Sequence, residues 1–267
     1  MAELLRANIL ANLAFYRRSR LLLAFMLVFL VMAGLESLPP LFAHSGVQSF
    51  NALRGVFDDL NGYLLFLAAG LGLFIISAHL RNRSLKMVFT KPCTPAVWLA
   101  SAFITAAMVA LLLNLLVLAS ATFLSIVWRI PVLPGLIFVS AQTFFSCVGL
   151  IAYLMLLATI MHPAIAATFA LIFNAGMFYS AEFWTRSVIK SGNSNPFLYL
   201  LQRLFHGLYV LLPMLHPFGN KTENIGVSLR VTHGEWKYLV YSFGYALILS
   251  AFCHTSALLA LQRRKHI

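Results

Sequence analysis

Long apolar runs, separated by short polar or basic segments, set the pattern of this chain. Residues in a helix rise 1.5 Å each, so about 20 apolar residues cross a hydrocarbon core about 30 Å thick. The runs lack the alternation of barrel strands, and a backbone in lipid must satisfy its own hydrogen bonds, which favours helices. The chain is therefore predicted to be an all-α membrane protein with a single transmembrane domain over 1–267. Its six spans are predicted at 20–38, 60–80, 96–127, 133–160, 164–183 and 237–260.

Short punctuating motifs mark the ends of these runs. Prolines at 39–40 end the first run, and the acidic and amide side chains at 58–61 are suited to capping the second helix. A turn is predicted at 129–134, where an arginine and two prolines interrupt 66 otherwise uncharged residues. The His-Pro pair at 162–163 is predicted to separate the fourth span from the fifth. The third and fourth spans exceed one bilayer thickness, which predicts that they tilt or project.

Two further segments have the pattern of amphipathic helices. Residues 2–16 place Leu4, Leu5, Ile9, Leu13 and Phe15 largely on one helical face, which predicts an interfacial helix. Residues 197–215 are nearly long enough to span, but Arg203 and His206 interrupt their centre. We predict an outer amphipathic or re-entrant helix there, and a seventh span is the alternative.

Charge sets the predicted orientation. Only 10% of the 267 residues are charged and 61% are hydrophobic, as expected for a membrane protein, yet the net charge is +12. With six spans, both termini and the loop 81–95 share the strongly basic side, which is cytoplasmic, and 184–236 is extracytoplasmic. Orientation and contact with anionic lipids account for this charge, so no nucleic acid partner is predicted. The cytoplasmic basic residues are Arg6, Arg17, Arg18, Arg20, Arg81, Arg83, Lys86, Lys91, Arg263, Arg264 and Lys265.

The chain carries no recognisable catalytic motif. It has no GxxxxGK[ST] phosphate-binding loop, and HExxH and GxSxG are also absent. Its only aspartates are the adjacent Asp58 and Asp59, which leaves no second aspartate for an aspartyl dyad. Cysteine and histidine spacings match neither a disulfide framework nor a metal site. We therefore predict no enzyme activity, no metal and no cofactor in this chain.

A few polar side chains lie within the predicted spans. Asn114, Gln142 and Asn174 have the greatest hydrogen-bonding capacity. They either tie helices together inside the bundle or line a path between subunits, and the sequence leaves both open. Ala68 and Gly72 form a small-xxx-small pair in the second span, which indicates a close helix-packing contact.

The loop 81–95, in the sequence RNRSLKMVFTKPCTP, combines basic residues with a short apolar face. A helix over 84–90 would place Leu85, Val88 and Phe89 together, because they are spaced i, i+3, i+4. Pro92 ends that helix, and Pro95 suits the first turn of the third span. From the residues alone the loop is either a docking surface or a basic hairpin that only obeys the charge rule.

The order of features resembles the six-helix permease subunit of type-2 ABC transporters. The loop motif Met87 to Pro95, the stretch LLPML at 211–215 and the apolar final span that closes on a basic tail at 258–265 carry the resemblance. It implies that the loop is a cytoplasmic coupling helix that docks on a separate ATPase, where ATP and Mg are bound. The implied coupling residues are Arg81, Arg83, Leu85, Lys86, Val88, Phe89, Lys91 and Pro92.

The resemblance also implies partners and a location. A second permease chain, identical or homologous, would complete a transporter of the export type in a bacterial cytoplasmic (inner) membrane. The substrate stays open. An alternative is a membrane scaffold or assembly factor that acts on extracytoplasmic envelope proteins through the loop 184–236.

Overall fold

All regular structure in the described part of the chain is helical. A computed structural model describes residues 2–18, 46–81, 94–173, 175–191, 195–213 and 228–264, with the single positions 20, 24, 27, 31 and 34. The eight helices in these ranges are α1 (Ala2–Arg18), α2 (Gly46–Arg81), α3 (Pro95–Val127), α4 (Leu133–Ile160), α5 (Pro163–Ile172), α6 (Ala175–Lys190), α7 (Pro196–Leu211) and α8 (Trp236–Arg264).

Four of these helices are long and apolar enough to cross a membrane. The candidate spans are Phe50–Ser77 in α2, Pro95–Val127, Leu133–Ile160 and Trp236–Arg263 in α8. The all-helical class is therefore confirmed for the described residues, and the four apolar helices indicate a membrane protein. The predicted first span, 20–38, lies largely outside the described residues.

The predicted fifth span differs in form from the expectation. Residues 164–183 do not make one continuous helix, because α5 ends at Ile172 and α6 begins at Ala175. Neither helix is long enough to cross the hydrocarbon core alone, since α5 has 10 residues and α6 has 16. In contrast, the predicted turn at 129–134 is confirmed closely, with α3 ending at Val127 and α4 beginning at Leu133.

The prediction that residues 58–61 cap the second helix is wrong. α2 begins at Gly46, so Asp58 lies in its interior, 3.5 Å from the Arg54 side chain one turn earlier. The helix continues through this polar patch because a fully buried apolar stripe passes beside it. That stripe is formed by Leu53, Phe57, Leu60, Leu64, Ala68 and Leu71.

Contacts between the long helices establish their directions. Leu99 of α3, Met155 of α4 and Ala257 of α8 line one small cavity. This places the start of α3 beside the last turns of α4 and α8. At the other end, Phe138 of α4 packs edge-on against Trp236 of α8, with ring centroids 5.7 Å apart. α4 and α8 therefore run in the same direction, and α3 runs opposite to them.

α4 is the central helix of the bundle. It packs against α2, α3 and α8. Of its most apolar 18-residue segment, 72% is buried inside the protein, whereas the corresponding fraction for α8 is 22%. The small-residue contact predicted in the second span is confirmed, because a Cβ on Gly72 would lie 3.4 Å from the Ile151 Cα of α4. The outward surfaces of α3 and α8 are lined by exposed leucine, isoleucine and phenylalanine side chains, as suits a lipid environment.

The chain returns from one end of the bundle to the other between α4 and α8. Since these helices are parallel, Ile160 and Trp236 lie at opposite ends. His162 caps α5 by accepting a hydrogen bond from the Ala164 amide, and α5 folds back until Phe173 accepts one from the Tyr153 hydroxyl at 3.1 Å. The antiparallel pair α6 and α7 follows, and these two helices contact each other extensively.

Candidate functional site

The two helices that carry the loop 81–95 end and begin where the sequence predicts. Arg81 is the last residue of α2, and Pro95 is the first residue of α3, as its fixed φ favours. The Thr94 side chain caps α3 by accepting a hydrogen bond from the Val97 amide at 3.4 Å. The other proposed coupling residues, Arg83, Leu85, Lys86, Val88, Phe89, Lys91 and Pro92, lie outside the described residues.

The N-terminal helix holds both helices beside this loop. In α1, the buried Tyr16 hydroxyl donates to the Leu71 carbonyl of α2 at 3.0 Å. One turn earlier, the Asn12 side-chain amide donates to the Ser101 hydroxyl of α3 at 3.4 Å. Because Asn12 and Tyr16 are one turn apart, α2 at Leu71 and α3 at Ser101 must lie close together. A single turn of α1 thus joins the two helices that lead to the loop, about 15 Å before the end of α2.

Aromatic packing reinforces the contact between α1 and α2. The Phe15 and Phe74 rings stack with centroids 5.6 Å apart, and the Tyr16 ring lies 5.9 Å from Phe74. Tyr16 is fully buried, and burial raises the pKa of its phenol above the ordinary tyrosine value. The hydroxyl therefore remains protonated, and able to donate, at neutral pH.

The predicted apolar face of α1 is confirmed in part. Leu5, Ile9 and Leu13 are partly buried, whereas Leu4 is exposed, and the buried face also contains Asn12, which the sequence analysis did not place there. The available signal was the i, i+4, i+8 spacing of Asn8, Asn12 and Tyr16, three hydrogen-bonding side chains on one face. A helix that docks on protein buries such a face when the partner helices supply acceptors.

The candidate path residues have different surroundings. Gln142 is 3% exposed, and its side-chain amide donates to the Tyr238 carbonyl at 3.3 Å, which ties α4 to α8. The helix-tying interpretation is confirmed for this residue. Asn114 is 4% exposed inside α3, and its side-chain oxygen has no partner within the described ranges. Asn174 lies outside the described residues, and a path between subunits stays a prediction.

A second polar centre, which the sequence did not predict, joins α6 to α7. The Glu182 carboxylate is almost fully buried and accepts a hydrogen bond from Arg186 at 3.0 Å. Its other oxygen lies 3.2 Å from His206 Nδ1 on α7. Ring contacts between Tyr179 and Tyr209 flank this centre. The hairpin therefore holds a buried carboxylate between an arginine and a histidine side chain.

Comparisons with known proteins identify no family for the chain. No protein-family model matches it, and no curated protein matches it. Within the described ranges, no group of three or more His, Cys, Asp or Glu side chains could hold a metal ion. The described part of the chain is thus all-helical, and four of its helices are long and apolar enough to cross a membrane.

Proposed function

We propose that the chain is the membrane-spanning permease subunit of an ATP-binding cassette transporter of the export type. A separate ATPase, which binds ATP and Mg, docks on the loop 81–95 and drives transport. The chain has six spans with both termini cytoplasmic, the first at 20–38 and the fifth formed by α5 and α6. A second permease chain, identical or homologous, completes the assembly.

The directions of α4 and α8 support the fifth span. Parallel neighbouring spans require an odd number of crossings between Ile160 and Trp236. At 1.5 Å per residue, α5 is about 15 Å long and α6 about 24 Å, so the two in series are longer than a hydrocarbon core of about 30 Å and are able to cross it. A helix broken in mid-membrane is tolerated where protein surrounds the break, and the Tyr153 hydroxyl bound to the Phe173 carbonyl supplies such a contact.

The observation that carries the proposal is the α1 clasp, by which we mean the hydrogen bonds from Asn12 to α3 and from Tyr16 to α2. Asn12 and Tyr16 bind the two helices from which the loop emerges. A loop that only marked topology would need no such support. A loop that receives force must pass that force to its helices before local bending absorbs it, and a third helix packed against both helices provides this stiffness.

The proposed docking mode is that of a short helix in a groove. Leu85, Val88 and Phe89 are the apolar anchors, and the basic residues meet acidic groups at the rim of the ATPase. Truncation of a buried aromatic anchor costs about 2 kcal/mol or more, whereas rim charges mainly change association rate and salt dependence. Phe89 is therefore the residue whose removal should weaken docking most.

Co-purification from the native membrane tests this function. The wild type is compared with Phe89→Ala and with Phe123→Ala, which removes a 66% exposed phenylalanine far from the loop along α3. We expect an ATPase subunit to accompany the wild type and Phe123→Ala, and to be strongly reduced with Phe89→Ala. If no ATPase accompanies any of the three, the coupling role is refuted, and the scaffold that acts through 184–236 becomes the better hypothesis.

A further inference from the structure

The hairpin of α6 and α7 encloses a pocket of about 300 Å³ that is lined by polar side chains. One helical face of α7 supplies four of the lining residues at i, i+3, i+4 and i+7, and α6 supplies two at i, i+4. The lining residues are Glu182, Arg186, Tyr199, Gln202, Arg203 and His206.

The pocket contains more hydrogen-bond donors than acceptors. Its one carboxylate, Glu182, is 6% exposed and is already engaged by Arg186 and His206. Arg203 has no ion-pair partner within the described part of the chain, although its guanidinium is permanently charged. The Gln202 amide and the Tyr199 hydroxyl add neutral donors. The pocket therefore has a net positive charge and donors that an oxyanion would satisfy.

Exposed apolar side chains border the pocket-lining positions on both helices. Phe183, next to Glu182 on α6, is 67% exposed, and Leu200, next to Tyr199 on α7, is 64% exposed. Such a rim is unfavourable in water but suits the boundary between lipid headgroups and acyl chains. An anionic group in the pocket could therefore carry an apolar tail over this rim.

We propose that this pocket binds a phosphate group, with Arg203 as its principal cation and Arg186, held in place by Glu182, as the second. Guanidinium groups bind phosphate oxygens through paired, charge-assisted hydrogen bonds. The phosphate is either free or the headgroup of an anionic lipid. This inference goes beyond the proposed function and needs no ATPase, so each can fail without the other.

Calorimetric titration of the full chain in an uncharged maltoside detergent tests the proposal. One arm uses inorganic phosphate, and the other uses dihexanoyl phosphatidylglycerol below its micelle concentration. The variants are Arg203→Gln and Arg203→Lys, and Lys190→Gln is the matched control, because it removes an exposed charge from the same hairpin outside the pocket lining.

We expect Arg203→Gln to weaken binding about tenfold or more, since a charge-assisted hydrogen bond is lost. Arg203→Lys should fall between it and the wild type because lysine keeps the charge but lacks the planar fork. Lys190→Gln should remain within about twofold of the wild type. Binding of both probes would identify phosphate itself as sufficient, and binding of the lipid alone would identify a headgroup site with an apolar rim.

The proposal is overturned if neither probe binds, or if Lys190→Gln weakens binding as much as Arg203→Gln. The latter result would mean that only the overall charge of the hairpin matters. Arg203 is exposed, so Arg203→Gln should unfold at the wild-type temperature. If Arg203→Gln unfolds at a lower temperature, Arg203→Lys, which preserves charge and size, takes its place in the comparison with Lys190→Gln.

Discussion

Replacing Tyr16 by phenylalanine should loosen α1 without unfolding the bundle. The change removes a hydrogen bond of 3.0 Å from a fully buried hydroxyl to the Leu71 carbonyl. Leu71 lies inside α2, where its carbonyl also accepts the helical hydrogen bond, so no acceptor is left without a partner. The expected loss is therefore about 1 kcal/mol, the net value of one such bond, whereas Tyr16→Ala, which leaves a cavity, should cost about 3–5 kcal/mol.

Amide hydrogen exchange measures this loss locally. A destabilisation of about 1 kcal/mol corresponds to about fivefold faster exchange if α1 opens independently of the bundle. We expect that increase for α1 amides in Tyr16→Phe and no change in α4. Tyr209→Phe is the control, because the Tyr209 hydroxyl makes no hydrogen bond within the described residues. Unchanged exchange in α1, or an equal increase in α4, would refute the claim that the Tyr16 hydroxyl holds α1 on α2.

Alkaline pH should act on the same contact. Burial raises the pKa of Tyr16 in the folded protein, so the folded state binds this proton more tightly than the unfolded state does. The contribution of Tyr16 to stability is then fully present below about pH 10, the ordinary tyrosine pKa, and decreases as pH rises further. We expect α1 exchange to accelerate above about pH 10 in the wild type, and this extra dependence to be absent from Tyr16→Phe.

Four further substitutions test the packing. Gly135→Ala should destabilise by about 1–3 kcal/mol, because its Cβ would overlap the Leu229 carbonyl oxygen; Gly62→Ala, where nothing lies within 4 Å, should stabilise by up to about 1 kcal/mol. The midpoint of thermal unfolding checks both variants. If both variants shift the midpoint in the same direction, the close approach of Gly135 to the Leu229 carbonyl is contradicted. Gln142→Leu should cost about 1 kcal/mol in the same assay, since it removes the bond to α8. Thr94→Ala should cost about 0.5–2 kcal/mol by removing the cap of α3, and an unchanged midpoint would show that the cap contributes nothing.

Sequence predicted the helices whose ends are set by local chemistry. Pro95, the turn at 129–134 and the His-Pro pair at 162–163 all act through backbone geometry within a few residues, so α3 and α4 were predicted almost to the residue. The start of α2 was missed because its signal conflicts with its surroundings. Asp58 and its neighbours favour a cap, but burial of Leu53 and Phe57 in the bundle outweighs that preference.

The polar contacts of the candidate sites could not be predicted in the same way. Asn12 and Ser101 are separated by 89 positions, and Glu182 and His206 by 24. A spacing such as that of Asn8, Asn12 and Tyr16 shows that polar residues share a helical face, but nothing local shows whether that face will meet a buried partner or water. The sequence could therefore indicate that α1 and 197–215 are helical and amphipathic, but not which side of each helix meets protein.

Within the proposed function, the position of α4 determines where movement can occur. α1, α2 and α3 are joined by the Asn12 and Tyr16 contacts, so force on the loop 81–95 moves them as one body. That body meets α4 across both α2 and α3, including the close contact at Gly72. On its far side α4 is bound to α8 through Gln142 and the aromatic contact at Phe138. Force on the coupling loop would therefore reach α4 through the interface that contains Gly72, and α4 would carry α8 with it.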